Sequence, residues 1–155
     1  MESAPTHIGK DDIPFVKFLK DDSTASMIGS DVTVIDFWHI KCPYCISPLQ
    51  KFMKDSVRYD KITFVACALN TGPGSYDLTK EVVVNISDEV NNVVHVFAED
   101  KELMKNTFSI KTVPHCVAIQ RNHDNSFKLL YWGHTNMLNL ETLTKFDIAM
   151  SSFSI

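Results

Sequence analysis

From Val32 to Trp38 the chain is apolar at nearly every position and rich in β-branched residues. Such a run suits a central strand buried on both faces. Asp36 is the only charged residue inside it. Ile62 to Leu69 and Cys116 to Ile119 are further apolar runs of strand length and predict two more buried strands. After Cys45 the period changes. Ile46, Leu49, Phe52 and Met53 fall at i, i+3, i+6 and i+7, one face of a helix. Pro48 sits in the first turns of that helix, where proline is tolerated. Tyr76 to about Val90 reads as a weaker helix, because Val82, Val83 and Val84 are β-branched. Val93 to Phe97 is a short strand or extended segment, and Lys101 to Phe108 is helical.

The flanks and connections follow from turn residues. Pro14 to Lys20 alternates only in part and reads as a first strand. Asp21-Asp22-Ser23 is a turn, and Gly29-Ser30-Asp31 breaks the chain again. Between them, Thr24 to Ile28 fits a returning strand or a short helix. Asn70 to Gly74 is a loop. Asn122 to Ser126 is a turn, and Phe127 to Trp132 pairs back as an edge strand ended by Gly133. Leu138 to Met150 is a closing helix, with an apolar stripe through Leu140, Leu143, Phe146 and Met150 that Asp147 interrupts. This alternation predicts an α/β fold, a central mixed sheet with helices on both faces.

Composition changes this picture little. At 155 residues, the chain is expected to be a single domain over 1–155 with a sizeable core, and the polar stretch 1–12 is expected to be flexible. A net charge of −4 with no long basic run gives no reason to expect nucleic acid or a membrane surface as partner. No apolar stretch approaches the roughly 18–20 residues of a membrane span. The N-terminal residues lack the basic-then-apolar layout of a secretory signal, and Ser151 to Ile155 carries no lipidation signal. Four cysteines do not make a disulfide scaffold, so a cytoplasmic, reducing compartment is the expectation.

Cys42-Pro43-Tyr44-Cys45 carries the chemistry. A strand ending at Trp38 hands Cys42 to the start of the next helix. A helix N-terminus presents unpaired N–H groups and partial positive charge, which favour a thiolate. The thiolate is the form that attacks disulfides, and Lys41 next door favours it further. Cys45, one turn on, is close enough to resolve the mixed disulfide. Zinc is the competing reading, but Cys67 and Cys116 are single and far apart, and the six histidines form no close pair. No metal and no cofactor is expected. A purely structural disulfide is disfavoured too, since so short a loop adds little chain-entropy stabilisation.

Other residues take roles around this pair. Asp36, a lone carboxylate in an apolar strand, is costly unless paired or protonated. It reads either as a proton acceptor for Cys45, through water, or as a structural buried acid. Trp38 and Tyr44 are candidates for an apolar rim, with Trp38 equally a packed aromatic. His115 reads as exposed, with proximity to the thiols as the alternative. Cys67 and Cys116 read as core residues, with Cys116 a candidate third thiol. The charge of Lys41 favours acidic or small anionic partners.

The order strand–CxxC–helix–strand–helix–Pro–strand–strand–helix resembles the thioredoxin superfamily over nearly the whole chain. Asp36-Phe37-Trp38 before the CxxC, Val113-Pro114 at the family's cis-proline position and Gly133 after the last strand carry the likeness. Pro14 to Trp38 is similar to the opening hairpin and central strand of the TlpA-like, tryparedoxin-like and nucleoredoxin-like branches. The length from Thr71 to Phe97 matches the extra helix and strand of those branches. Lys41 departs from the tryptophan usual before the first cysteine. Pro43-Tyr44 resembles the glutaredoxin dipeptide, as does Thr112-Val113-Pro114, but the Gly-Gly-x-Asp run of glutaredoxins is missing after Pro114.

The resemblance implies a thioredoxin-like fold and a thiol–disulfide oxidoreductase that reduces protein disulfides through Cys42 and Cys45. It implies a cis bond before Pro114 that turns the Val113 backbone toward a substrate strand. It also implies an upstream reductase or low-molecular-weight thiol as electron source. A glutathione-linked, glutaredoxin-like reductase and a non-enzymatic adaptor are the alternatives.

Overall fold

A computed structural model describes residues 4–5, 7–20, 26–28, 31–69, 72–87 and 92–143. Six strands form one sheet: β1 (Val16–Phe18), β2 (Val32–Trp38), β3 (Thr63–Ala68), β4 (Val93–Ala98), β5 (His115–Arg121) and β6 (Phe127–Gly133). Their order across the sheet is β1-β4-β3-β2-β5-β6. β2, β3 and β4 run parallel, whereas β5, β6 and β1 join antiparallel. Parallel neighbours need a crossover. Helix α1 (Ile46–Ser56) supplies it between β2 and β3, and α2 (Ser75–Ser87) between β3 and β4. Both steps move the same way across the sheet, so right-handed connections put both helices on one face. Helix α3 (Lys101–Phe108) packs on the other.

Two cores result, and the strand period of two assigns residues to them. Val32, Val34 and Trp38 of β2 pack with Leu49, Phe52 and Met53 of α1, Val83 of α2, and Leu140 and Leu143. Ile35 and Phe37 face the opposite way, with Met104 and Phe108 of α3 and with Ile8. Every residue of β2 is buried because both faces are covered, the arrangement its continuous apolar run implies. Pro48 is the third residue of α1, where its missing N–H would have no intrahelical acceptor. Helix α2 forms despite its valine run. Val83 and Thr79 are buried, and this packing outweighs the weak propensity of β-branched residues.

Several boundaries differ from the sequence reading. Among the described residues, β1 has no returning strand beside it. It pairs with β4, Val16 opposite Ala98, and so covers a sheet edge that β4 would otherwise expose. Residues 26–28 form neither strand nor helix, and the turn at Asp21-Asp22-Ser23 lies outside the described residues. Ile8 is buried and bridges to Phe127. Val93 to Ala98 is a full strand of the sheet. Before the closing helix comes a 3-10 turn, Thr135–Met137, and residues 140–143 are helical. Phe146, Asp147 and Met150 lie outside the described residues.

β4 carries one group that burial strains. His95 is buried between Val93 and Phe97 on the α1/α2 face of the sheet, and neither ring nitrogen has a hydrogen-bond partner among the described residues. Burial, helped by the positive charge of Lys20, lowers its pKa from 6.5 to about 4.

Candidate active site

Cys42 and Cys45 are joined as a disulfide, with Cα atoms 5.4 Å apart. α1 starts at Ile46, so Cys45 is its N-cap and Cys42 lies one turn ahead of it rather than at the first helical position. The Cys42 carbonyl accepts from Cys45 N–H at 3.2 Å, and the Cys45 carbonyl accepts from Leu49 N–H at 3.0 Å, so a turn leads directly into the helix. The free N–H groups of the first helical turn point back at this bend. The two sulfurs are not equivalent. Cys42 retains 7% exposure and Cys45 none.

The Val113–Pro114 peptide bond is cis. It places the Val113 carbonyl oxygen 3.9 Å from Cys42 Sγ, across 71 residues of sequence. Pro114 itself is buried and Val113 half-buried. Lys41 and Tyr44 stand in solvent around the disulfide, Tyr44 with 80% exposure. Trp38 is fully buried within the α1-side core. It therefore belongs to the packing and offers no rim to a partner. His115 is buried too, its ring edge-on to Trp132 at 4.7 Å. Strand alternation places it with Val117 and Ile119 on the α3 face, away from the dithiol.

Asp36 shares the α1 face of β2 with Val34 and Trp38. It is fully buried, flanked in register by Ala66 of β3 and Cys116 of β5. Thr135 Oγ1 donates to its Oδ1 at 2.6 Å, while Oδ2 has no partner among the described residues. Burial raises its pKa from 3.8 to about 7, against the smaller lowering effect of the Thr135 hydrogen bond. Thr135 has no signature in the sequence. Only the general need of a buried acid for a donor points to such a residue, and nothing locates it. Cys67 and Cys116 are free and buried. Burial, then the nearby Asp36 charge, pushes both thiols well above the ordinary cysteine range. Both are therefore poor nucleophiles. Among the described residues no cluster of three His, Cys, Asp or Glu side chains is placed to hold a metal.

Thr135→Val tests the Asp36 contact. Loss of the donor removes a hydrogen bond that favours the ionised carboxylate, so the Asp36 pKa is expected to rise above its present value of about 7. Stability should fall by about 1–3 kcal/mol at pH 8. Carboxyl carbon NMR against pH reads the shift. An unchanged or lowered pKa would show that Thr135 does not hold the carboxylate.

Solved structures share this architecture. A thioredoxin-like protein from Aeropyrum pernix superposes with a TM-score of 0.61 at 15% identity, covering 90% of this chain and 91% of that one. MTB dsbF, solved in mixed oxidized and reduced forms, gives a TM-score of 0.58 at 19% identity, over 92% and 96% of the two chains. StoA from Bacillus subtilis gives 0.54 at 19% identity, over 87% and 98%. No family model matches the chain, and no curated protein matches it by sequence. At these identities the likeness is one of fold. The chain has the thioredoxin-like fold expected from its motifs, with the CxxC disulfide at the mouth of the first helix after the central strand.

Proposed function

We propose that this protein is a thiol–disulfide oxidoreductase that reduces disulfides of protein substrates. The observation that carries the reading is the asymmetric disulfide at the head of α1, with Cys42 reachable and Cys45 sealed beneath it. In the reduced form the Cys42 thiolate attacks one sulfur of a substrate disulfide. That S–S bond breaks, and the departing sulfur leaves as a thiolate and takes a proton. Cys45 then loses its proton to the Asp36 carboxylate, through water, and attacks Cys42 Sγ. The mixed disulfide breaks, and its electron pair leaves with the second substrate sulfur. Two electrons have passed to the substrate, and the Cys42–Cys45 disulfide is restored. An upstream reductase or a low-molecular-weight thiol then returns the pair to the dithiol.

The other residues fit around these steps. A carboxyl with a pKa of about 7 exchanges its proton near neutral pH, where a general base is most effective. The Val113 backbone beside Cys42 supports an extended substrate segment lying against it as an added strand. Lys41 and Tyr44 are the exposed side chains that such a segment meets. The glutaredoxin-like Pro43-Tyr44 pair, both residues exposed, supports glutathione as an alternative electron source.

Reduction of insulin disulfides, followed with several electron donors, tests the reading. Turnover is expected, faster with a low-molecular-weight dithiol or glutathione than with a thioredoxin reductase. Cys42→Ser should reduce turnover to background with every donor. Turnover that survives this substitution sinks the proposal.

A further inference from the structure

Beside the dithiol, where β2, β3, α2 and α3 converge, lies a cavity of about 210 Å³. His39 and Lys41, from the segment between Trp38 and Cys42, form one side of it, and Lys101 at the head of α3 forms another. Leu69 and Leu78 give it an apolar wall, and Ser75 opens α2 against it. No acidic side chain is among its described lining residues, although the chain as a whole carries −4. Asp77 and Glu102, in the first turns of α2 and α3, do not line it. Lys41 and Lys101 form no ion pair among the described residues. Burial, and after it the positive charges of Lys101 and Lys41, hold the pKa of His39 below the usual histidine value. Two ammonium groups from two separate elements, with a mostly neutral His39 beside them, thus converge on one hollow with no counter-charge among its described lining residues. The mutual repulsion of the two lysines is relieved by an anion.

We propose that this cavity is a specificity pocket for an acidic side chain of the protein substrate, near the disulfide to be reduced. The inference rests on the oxidoreductase reading above and names which disulfides it selects. The volume decides the kind of ligand. At about 210 Å³ the hollow is below the roughly 300 Å³ at which pockets for whole small molecules begin, and it suits one or two side chains. Leu69 and Leu78 meet the methylenes of a glutamate or aspartate while the carboxylate reaches Lys41, Lys101 and His39. Because Lys41 is adjacent to Cys42, an acidic residue seated here holds its chain against the dithiol. Val113 approaches Cys42 from the β5 side, so a substrate segment has a backbone contact and a charge contact at the same sulfur.

The test compares two peptides that carry one disulfide each and differ only in having Glu or Gln beside it. The rate of mixed-disulfide formation with the Cys45→Ser protein is measured for both. The acidic peptide is expected to react about tenfold faster at low salt, the low end of electrostatic rate effects, and the ratio should shrink as salt rises. Lys101→Gln, and the double variant with Lys41→Gln, should bring the ratio toward one, with the double variant closest. A ratio of one for the unmodified pocket overturns the inference and leaves the oxidoreductase reading standing. So does a ratio that both variants leave intact. A third arm uses a small dicarboxylate disulfide and its diamide. Discrimination confined to that pair overturns the assignment to a protein side chain. Failure of both peptides to react at all overturns the oxidoreductase reading and this inference with it.

Discussion

Asp36→Asn is expected to stabilise this protein at pH 8 and to leave it no more stable, or less so, at pH 4.5. The sign follows from proton linkage. Unfolded, Asp36 ionises near 3.8, while in the fold it holds its proton up to about 7. Between those values the folded state binds more protons, so stability falls as pH rises. Above pH 7 the full penalty is present, about 4 kcal/mol for a shift of this size. Asparagine has no such penalty and its carbonyl can still accept from Thr135. Its amide N–H groups inherit the place of Oδ2, which has no partner among the described residues, at a cost of about 1–3 kcal/mol. The balance is a gain of about 1–3 kcal/mol at pH 8. Below pH 4 the natural side chain is neutral as well, and only the cost of the amide remains.

His95 sharpens this test. Its folded pKa lies below its unfolded value, so its contribution is complete above about 6.5 and is lost as pH falls toward about 4. That slope is opposite to the slope from Asp36 over almost the same range. In the natural chain the two groups largely offset each other. Asp36→Asn removes one side, and stability should then climb by about 3 kcal/mol from pH 4 to 6.5. Urea unfolding at half-unit pH steps measures both curves. Parallel curves for the variant and the natural chain would mean that Asp36 does not titrate in this window.

Cys45→Ser should convert the protein from a catalyst into a trap. Only Cys42 has any accessible surface in the pair, so attack on a substrate disulfide is intact when Cys45 is replaced. Resolution is lost, since serine cannot take the place of the resolving thiol. The mixed disulfide therefore accumulates, and intact-mass spectrometry reads it as one protein plus one target chain. Cys42→Ser should give no such adduct, because the remaining Cys45 sulfur has no exposure. Equal trapping by the two variants would show that the roles of the thiols are not divided in this way.

What could be read in the chain and what could not divides along sequence separation. β2 is legible because burial on both faces leaves a nearly unbroken apolar run from Val32 to Trp38. The buried stripe of α1 is legible because Leu49, Phe52 and Met53 repeat at helical spacing. Cys42 and Cys45 are legible because their chemistry depends on a spacing of three. The partner of β1 is not, since a strand's own residues do not say which distant edge they cover. Thr135 is 99 residues from Asp36, and no local pattern announces that contact. Whether Trp38 forms a rim or packs inward is not legible, because an aromatic at the end of a buried strand has the same local signature in both cases; the structure places it in the packing. The cationic hollow has no local signature, because Lys101 belongs to a helix more than 50 residues from Lys41 in sequence.

The distances in sequence also order the assembly of the site. Cys42 and Cys45 belong to the local unit β2–α1–β3, whose contacts close short loops. Val113 meets Cys42 across 71 residues and Thr135 meets Asp36 across 99, and closing such loops carries a larger entropic cost. As the chain emerges from the ribosome, the reactive pair is synthesised before the segments that cover and tune it. A nascent chain thus exposes both thiols to any oxidant before Val113 and Thr135 arrive. The adjacent pair limits the damage, since Cys45 can attack Cys42 Sγ of a mixed disulfide, expel the foreign thiol and return the chain to an intramolecular disulfide that the completed fold accepts.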